Sequence, residues 1–350
     1  MRFSNILIIG HMYAVQFNRH GFDYLTESAD TEILYPREWT GAFGESYSDE
    51  EGFSLIKMPF IPNSYIPFLP EREDIDVLWI DEEPVYPQTR FILNKYSHAR
   101  LKIIRTAQNI EKHGFYRDRM YSFVNGRADI IAAVGKQSSK TAARIFSRGI
   151  PVIPLSISND FFLKPVPRDG ELTIGFAGRL SKDKGVLIIE DILRQLDFDF
   201  KFKFAGAGNL KKHLTEFCIK NNIDYQYMGL IPHNNMPSFY SSIDVLLSPS
   251  IALQNWKEQQ GRSVIEAAAS GMFVISSNSG ELANMGKVCG AIIEPGDTGG
   301  FIDVLNRINN DDTYYEDTVE RTHAEAAAFS HMSVGRKIYS MIEDYEPSGN

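Results

Sequence analysis

Cysteine is scarce in this sequence, and Cys218 and Cys289 are the only two. Two cysteines are too few for a disulfide framework or for a zinc site built from cysteine ligands. No apolar run reaches the ~18 residues that a membrane-spanning helix needs. The first apolar run is interrupted at Gly10 and His11, too early for the core of a signal peptide. These absences predict a soluble protein of a reducing compartment, the cytoplasm.

Positive charge is also in short supply, because the net charge is −9 and the isoelectric point is about 5.5. Proteins that bind nucleic acid hold the phosphate backbone with clustered positive charge, so we expect no nucleic-acid partner. Hydrophobic residues make up 43% and charged residues 23%, proportions that argue against a disordered or fibrous chain. A chain of 350 residues exceeds what one core usually organises, which predicts two domains that face a cleft.

Short apolar runs bounded by turn signals alternate with longer amphipathic stretches, a pattern typical of βαβ units and parallel sheets. The strands predicted for a first sheet are 5–9, 76–80, 101–104, 129–134 and 152–155. Those predicted for a second sheet are 172–177, 200–205, 225–228, 244–247, 273–276 and 290–293. Two such series indicate an α/β protein with two Rossmann-like, doubly wound domains.

The proposed domain boundary lies in a stretch with two prolines and a glycine, near residues 163–170. We therefore expect an N-terminal domain over residues 1–163 and a C-terminal domain over residues 164–330. Residues 331–350 include apolar side chains at helical spacing, which predicts a final helix that packs back on the N-terminal domain. Residues 35–70 are rich in proline, glycine and aromatic side chains and fit neither pattern.

Two cations follow a predicted strand in the segment GFAGRLSKDKGV, residues 175–186. Gly178 permits a close backbone approach, and Arg179 and Lys184 flank a turn before an amphipathic helix. Doubly wound folds bind phosphorylated ligands at the carboxyl ends of their parallel strands, so the pair could clamp a phosphate. Two solvated charges on a loop are the alternative.

Two carboxylates flank the start of a helix in EQQGRSVIEAAASG, residues 258–271. Glu258 precedes Gly261, and Glu266 lies within an alanine-rich helix that begins near Arg262. The helix start offers unpaired N–H groups and a positive dipole end to an anion, and carboxylates accept hydrogen bonds from sugar hydroxyls. The alternative is a loop glutamate followed by a solvent-facing helical glutamate.

A glycine pair follows another predicted strand in FAGAGN, residues 204–209. The third glycine of the dinucleotide fingerprint is missing at its required position. A tight βα turn is therefore favoured over NAD binding.

Taken in order, these segments resemble the retaining, GT-B-fold glycosyltransferases that use nucleotide sugars, the group 1 or family 4 type. The resemblance extends through YMGLIPHNNMPSFYSSIDVLLSPS and GAIIEPGD, the latter at residues 290–297. It covers residues 128–340 well and the first 125 only loosely. The loosely matching part would be the acceptor domain, which varies within the family.

The resemblance implies roles for the cations and carboxylates of the C-terminal domain. Arg179 and Lys184 would clamp the donor diphosphate, Glu258 would hold hydroxyls of the donor sugar, and Glu266 would hold the ribose. Arg179, Lys184 and Glu258 would be the catalytic residues.

Backbone groups are also implied in donor binding. Gly178 would border the clamp, and Gly261, Arg262 and Ser263 would face the phosphates. The stretch from Gly229 to Ile231 would border the nucleobase.

In the N-terminal domain, the loop at Gly10 and His11 would approach the donor from the other side of the cleft. This sequence departs from the family there, because it lacks the usual glycine-rich loop. A histidine often meets the sugar on the acceptor domain, but here Gln108 and Asn109 stand in that region, with His113 as a further alternative.

A second departure is the insertion 251–257, which contains Trp256 and separates the serine–proline pair from Glu258. A lid on the donor side and ordinary packing are both open as its role.

The activity implied is retaining transfer of a hexose-type sugar from a nucleoside-diphosphate sugar to a hydroxyl acceptor in glycan, polysaccharide or glycolipid biosynthesis. Members of this type work without a metal, so we expect neither a metal nor another cofactor, and a front-face mechanism. The acceptor would be a glycan, a lipid-linked molecule or a small molecule. A nucleotide-sugar epimerase of the same fold and a non-catalytic nucleotide-sugar binding protein remain alternatives.

Residues 95–121 concentrate basic and aromatic side chains in an otherwise acidic chain. Such mixtures can contact an anionic lipid surface, which would place the protein at the inner face of the membrane. The alternative is a βα unit with a solvated face.

Overall fold

The computed structural model describes residues 3–40, 46–58, 64–253 and 257–346. It divides the chain into two compact units. One unit comprises Met1–Ser156 together with Ser330–Asn350, and the other comprises Ile157–Phe329.

The first unit is built on a five-stranded parallel sheet. The strands of the whole unit, numbered in chain order, are β1 (Asn5–Ile9), β2 (Asp30–Leu34), β3 (Glu38–Thr40), β4 (Ser46–Ser48), β5 (Leu55–Lys57), β6 (Tyr65–Pro67), β7 (Val77–Ile80), β8 (Leu101–Thr106) and β9 (Ile130–Ala133). The sheet order is β2-β1-β7-β8-β9. Residues 77–80 of the central strand β7 are fully buried, as both faces of a parallel sheet are covered. The helices of this part of the chain are α1 (Asp23–Thr26), α2 (Pro87–Lys95), α3 (Phe115–Asn125) and α4 (Lys136–Phe146).

The strand predicted at residues 152–155 is wrong except for a single bridge. Val152 pairs with Ala133 of β9, and the ladder stops there. Pro151 and Pro154 carry no N–H group, so they cannot donate the bonds that would extend a strand. Conversely, strand β2 was not predicted, because its sequence DTEIL is mostly polar and only its last residue is buried.

Residues 35–70, which fitted no pattern, contribute two small antiparallel pairs in their described part. Strand β3 pairs with β4, and β5 pairs with β6. Tyr65 of β6 is 1% exposed and packs in the core of this unit. Phe53 and Tyr65 of this segment therefore pack against the side chains of β1 and β7.

The second unit contains a six-stranded parallel sheet in the order β12-β11-β10-β13-β14-β15. Its strands are β10 (Leu172–Ala177), β11 (Phe200–Ala205), β12 (Asp224–Tyr227), β13 (Val245–Ser248), β14 (Phe273–Ser277) and β15 (Ala291–Ile293). Its helices are α5 (Val186–Gln195), α6 (Lys211–Lys220), α7 (Met236–Tyr240), α8 (Arg262–Ala269), α9 (Thr298–Asn310) and α10 (Asp312–Ala326). Two parallel sheets flanked by helices confirm the predicted α/β class of two Rossmann-like domains.

The last helix, α11 (His331–Glu343), belongs to the first unit although it follows the second in sequence. Val334, Ile338 and Ile342 are at most 1% exposed and pack in one cluster with Phe22 and Leu25. Their spacing puts all three on one face of the helix, which explains why that face is buried.

The boundary between the two units lies between Ser156 and Ile157, earlier in the chain than the predicted boundary at residue 163. Ile157 and Phe161 are buried with the core of the second unit. The N–H of Ile157 also donates to the carbonyl of Phe329, 2.9 Å away, which joins the two ends of that unit. The linker composition therefore marks a segment that is already packed on the second unit.

Within the described residues, no helix combines the length and the apolar character required to cross a membrane.

Candidate donor site

The loops that follow β10 and β11 lie against each other, and their glycines make this contact feasible. A Cβ on Gly206 would lie 1.9 Å from the carbonyl oxygen of Gly178, and one on Gly208 would lie 2.3 Å from that of Leu180. Both glycines have positive φ, a region that other residues rarely adopt. The pair in FAGAGN therefore serves a close backbone contact, which agrees with the tight turn favoured over NAD binding.

Arg179 follows Gly178 in the loop after β10, and its guanidinium is partly exposed. One terminal nitrogen donates to Oδ2 of Asp183 at 3.0 Å, within the same turn. Nε of Arg179 is buried and has no hydrogen-bond partner among the residues that the structure describes. Because Nε is closed to solvent while the side chain is 42% exposed, an incoming acceptor such as a phosphate oxygen would meet the terminal nitrogens of the guanidinium instead.

Lys184 lies at the end of the same turn and contacts Glu258 directly. Its Nζ donates to a carboxylate oxygen of Glu258, and Oγ of Ser250 approaches the same oxygen at 3.5 Å. Gly185 follows with a φ of +75°, and a Cβ there would lie 2.0 Å from the carbonyl oxygen of Pro249. The cation-bearing turn is thus packed onto the chain that leads to Glu258.

The backbone around Glu258 is fixed by the loop after β14. The N–H of Glu281 donates to the carbonyl of Glu258 at 2.9 Å, and a Cβ on Gly280 would lie 2.5 Å from that oxygen. The N–H of Ile251 donates to the carbonyl of Asp183 at 2.9 Å, which ties the start of the 251–257 insertion to the cation-bearing turn. Trp256 lies outside the described residues, so both roles considered for the insertion stay open.

Helix α8 begins at Arg262, four residues after Glu258. Gly261 precedes it with a φ of +66°, and a Cβ there would lie 2.5 Å from Cδ2 of Leu282. Arg262 and Ser263 are half-buried in the first turn. The first N–H groups of a helix lack intrahelical partners, so this end suits the anion-binding role implied for these residues.

Glu266 is buried in α8, with only 4% of its surface exposed. The solvent-facing alternative considered for it is therefore wrong. One carboxylate oxygen lies 3.0 Å from Nε2 of His233, and the hydroxyl of Tyr240 donates to the other at 3.0 Å. Burial and the nearby charge of Glu266 hold the pKa of Tyr240 well above its usual value, so the hydroxyl stays a donor.

His233 and Tyr240 were not among the predicted site residues. His233 begins a short 3₁₀ turn just after the stretch Gly229 to Ile231, so its proximity in sequence to that stretch was the available signal. Gly229, with a φ of +70°, accepts a hydrogen bond at its carbonyl from the N–H of Gly206 at 2.7 Å. Ile231 is half-buried against the core that contains Val264 and Ile265 of α8.

In the first unit, Gly10 and His11 follow β1, and both lie against the residues that follow β7. A Cβ on Gly10 would lie 3.0 Å from Cβ of Asp81. The backbone N–H of His11 and its Nδ1 each lie 2.8 Å from Oε1 of Glu82. The loop after β1 is therefore fixed by an acidic segment that sequence reasoning passed over.

That acidic segment, Asp81, Glu82 and Glu83, lies at the carboxyl end of β7. Arg105 pairs with both oxygens of Asp81 at 2.7 Å each. Glu83 accepts from the hydroxyl of Thr106 at 2.5 Å and from the N–H of Ala107 at 2.9 Å. Burial raises the pKa of Asp81 and of Glu83, although these donors oppose the shift. Three acidic residues directly after a predicted strand were the signal in the sequence.

The candidates for acceptor contact lie after β8. Gln108 donates from Nε2 to the hydroxyl of Tyr121 at 2.7 Å, and Asn109 is 5% exposed. His113 is exposed, and its two ring nitrogens each lie 2.9 Å from a carboxylate oxygen, one of Asp118 and one of Glu111. Both nitrogens of His113 thus already have partners, which makes it the weaker candidate for a sugar contact.

Among the residues that the structure describes, no group of three or more histidine, cysteine, aspartate or glutamate side chains is arranged to hold a metal ion.

Comparison with known proteins shows which proteins the chain resembles. Residues 171–311 match the family model described as glycosyl transferases group 1. The 2-deoxystreptamine glucosyltransferase of Streptomyces kanamyceticus is 26% identical over 153 residues, which is 42% of this chain and 38% of that protein. The match to this curated relative thus spans less than half of its length.

Solved structures share the fold at low sequence identity. A glycosyltransferase from Rickettsia africae ESF-5 superposes with a TM-score of 0.70 at 16% identity, covering 99% of this chain and 100% of that one. The Anabaena protein HepE, solved in complex with UDP and glucose, gives a TM-score of 0.68 at 16% identity, covering 98% and 100%. The match over residues 171–311 makes this part of the chain similar to the group 1 glycosyl transferases, and the solved structures confirm the predicted α/β fold of the GT-B class.

Proposed function

We propose that this protein is a retaining glycosyltransferase that moves a hexose-type sugar from a nucleoside-diphosphate sugar to a hydroxyl acceptor. One observation carries the proposal. Two cations of a single loop, Arg179 and Lys184, lie in the same part of the second unit as Glu258, which Lys184 contacts, and Glu258 leads into the first turn of α8. Cations, a carboxylate and a helix start are the groups that a sugar diphosphate requires.

The chemistry follows from the charge that develops during the reaction. As the bond between the anomeric carbon and the phosphate oxygen breaks, negative charge grows on the leaving diphosphate. Arg179, Lys184 and the N–H groups of α8 would stabilise that charge, and no metal is then needed. The leaving phosphate oxygen takes the proton of the acceptor hydroxyl, whose oxygen bonds the anomeric carbon from the same face. The product therefore keeps the anomeric configuration of the donor.

The choice of donor is guided by the similar proteins. HepE was solved with UDP and glucose, and the Streptomyces relative is a glucosyltransferase. We therefore propose a UDP-hexose as the first donor to test, with GDP- and ADP-sugars beside it. The acceptor would be a glycan, a lipid-linked molecule or a small molecule.

The test is incubation of the full chain with a panel of nucleotide sugars and hydroxyl acceptors, with and without a chelator. Release of free nucleoside diphosphate that matches the sugar transferred, in the presence of chelator, supports the proposal. A changed sugar that stays attached to its nucleotide would indicate the epimerase alternative. Binding of the nucleotide sugar with no turnover would indicate the non-catalytic alternative.

Peripheral membrane contact through residues 95–121 forms a second part of the proposal. Phe115 is 79% exposed at the start of α3, and the guanidinium of Arg119 lies 5.2 Å from its ring centroid. An exposed aromatic beside a cation suits an anionic lipid surface. Sedimentation with anionic vesicles, reduced by Phe115→Ser and by added salt, would support the contact. Equal sedimentation with neutral vesicles would contradict it.

A further inference from the structure

A groove with a volume of about 720 Å³ lies at the surface of the first unit, between α2 and α3. Arg90 lines it from α2, and Phe115, Arg119 and Phe123 line it from α3. These three residues of α3 are four positions apart, which places their side chains along one face of the helix. The volume is in the range of pockets that bind small molecules. The groove therefore has room for the headgroup of a ligand.

The two arginines of the groove are held by aromatic rings. The guanidinium carbon of Arg90 lies 4.9 Å from the ring centroid of Phe123, and that of Arg119 lies 5.2 Å from the ring centroid of Phe115. In the part of the chain that the structure describes, neither arginine forms an ion pair with a carboxylate. A guanidinium over a ring keeps its N–H groups available, because these point outward in its own plane. The groove thus presents two positioned sets of N–H donors.

Asp118 also lines the groove, but its carboxylate already has partners. Oδ1 lies 2.9 Å from Nδ1 of His113, and Oδ2 accepts from the N–H of Gly114 at 3.2 Å. The hydrogen bond with His113 lowers the pKa of Asp118, and the bonds with Glu111 and Asp118 raise the pKa of His113. Each group therefore favours the charged form of the other. The charges of the two arginines are left for an incoming anion.

Exposed aromatic side chains surround these donors. Phe115 and Tyr116 are 79% and 46% exposed, and Phe91, beside Arg90 on α2, is 45% exposed. A soluble anion would use the guanidinium groups and leave these rings in water. A lipid would cover them, because aromatic side chains favour the region between the headgroups and the acyl chains. Two arginines among exposed rings thus favour an anion that is carried by a lipid.

Two guanidinium groups distinguish anionic headgroups by their oxygens. A phosphate monoester offers three terminal oxygens and a charge of about −1.5 to −2, whereas a phosphate diester has fewer terminal oxygens and a smaller charge. Each guanidinium binds a pair of such oxygens in a bidentate way. A monoester therefore satisfies both arginines better than a diester or a carboxylate does.

We propose that the groove between α2 and α3 binds the phosphate monoester headgroup of a membrane lipid. Arg90 and Arg119 bind the phosphate oxygens, and Phe115 and Tyr116 enter the lipid surface. This inference rests on the membrane contact in the proposed function and narrows it from negative charge in general to one headgroup chemistry. All of its residues lie in the first unit, so the lipid site is independent of the donor site.

The first experiment compares two kinds of phosphatidylcholine vesicle at matched surface potential, one with phosphatidic acid, a monoester, and one with phosphatidylglycerol, a diester. The full chain should bind the phosphatidic acid vesicles about tenfold more tightly, the effect of one additional charge-assisted hydrogen bond. Equal binding to both would overturn the headgroup assignment and leave the general membrane contact standing. Binding of free glycerol 3-phosphate as tight as that of the vesicles would overturn the lipid as the source of the phosphate.

The second experiment removes the arginines one at a time. Arg90→Gln and Arg119→Gln should each weaken binding to phosphatidic acid about tenfold. Both side chains are exposed, so the variants should fold. Arg336→Gln is the matched control, because it removes the same charge from α11, on the other face of the first sheet, and its guanidinium also lies over a ring, that of Tyr24. An equal loss in all three variants would show that only net charge matters and would overturn the inference.

Sugar transfer to a water-soluble acceptor, measured without vesicles, separates this inference from the proposed transferase. An unaltered protein that transfers sugar but shows no headgroup preference would overturn the lipid site alone. An unaltered protein that prefers phosphatidic acid but transfers no sugar would contradict the transferase and support the lipid site.

Discussion

Lys184 and Glu258 are 74 residues apart in sequence, and Nζ of the lysine donates directly to the carboxylate of the glutamate. Both side chains are mostly buried, with 22% and 13% of their surfaces exposed. Removing one partner of such a pair destabilises the protein, because the other charge is left partly buried without its counter-charge. The cation assigned to the diphosphate and the carboxylate assigned to the sugar therefore hold each other in place.

The first prediction separates these two roles. Glu258→Gln removes the charge that competes for Lys184, so free nucleoside diphosphate should bind as tightly as before or more tightly, while sugar transfer falls about a hundredfold. Lys184→Ala should weaken diphosphate binding and transfer together. Calorimetric titration with the free diphosphate and with the sugar donor measures both. Weakened diphosphate binding in Glu258→Gln would contradict the assignment.

Glu266 provides a prediction that combines stability with binding. Glu266→Gln places an amide against His233 or Tyr240 in a buried site, so the free energy of unfolding should fall by about 1 to 3 kcal/mol. Donor binding should weaken in the same variant if the carboxylate also holds the ribose. Glu320→Gln, an exposed glutamate of α10, is the control for denaturant unfolding and titration. Unchanged donor affinity in a folded Glu266→Gln protein would refute the ribose role.

The glycine pair after β11 predicts a large effect from a small substitution. Gly206→Ala puts a Cβ 1.9 Å from the carbonyl oxygen of Gly178 at a φ of +128°. The clash and the strained backbone together should lower the free energy of unfolding by about 3 kcal/mol and displace the Arg179 loop. Gly149→Ala, where a new Cβ meets nothing within 4 Å, should change it little. Equal stability of the two variants in urea would show that the loops do not need this contact.

Asp76 predicts how stability depends on pH. Burial raises the pKa of Asp76, but hydrogen bonds from the N–H groups of Ser4 and Asn5 and from Arg100 outweigh it and lower the pKa overall. A carboxyl group with a lowered pKa stabilises the folded state above its unfolded pKa and loses that contribution as pH falls through the folded value.

Asp76→Asn should therefore cost about 1 to 2 kcal/mol at neutral pH and progressively less below pH ~4, the usual aspartate value. Unfolding in urea across this pH range measures the difference. Asp74→Asn, which alters an exposed neighbour, should show no such dependence. A cost that is constant with pH would mean that the charge of Asp76 is not what stabilises the fold.

The fold was largely predictable because parallel strands buried on both faces form continuous apolar runs. Strands β10, β11 and β14 begin at the predicted residues and end within a residue of the prediction, although β11, with the sequence FKFKFA, alternates apolar residues with lysine. Strand β2 was not predicted, because it lies at the edge of its sheet and therefore needs few apolar residues. The strand predicted at residues 152–155 is reduced to a single bridge, because the prolines in this segment have no N–H group to donate to a neighbouring strand.

The position of Arg179 and Lys184 was predictable, because both residues closely follow a strand in the sequence. Their role in binding a diphosphate stays a prediction. The partners of Glu266 and of His11 come from distant segments, and hydrogen bonds of this kind leave no periodic signal. His11 and Glu82, for example, are 71 residues apart.

The central claim is that the second unit holds a sugar diphosphate between Arg179 and Lys184 and that the chain transfers its sugar with retention. The most direct test is ¹H NMR of the reaction with a UDP-hexose, following the anomeric proton and free UDP together for the unaltered protein, Arg179→Ala and the control Lys182→Ala. The account predicts a product with the anomeric configuration of the donor, formed about a hundredfold or more slowly by Arg179→Ala and at the normal rate by Lys182→Ala. An inverted product, or full activity in Arg179→Ala, would contradict it.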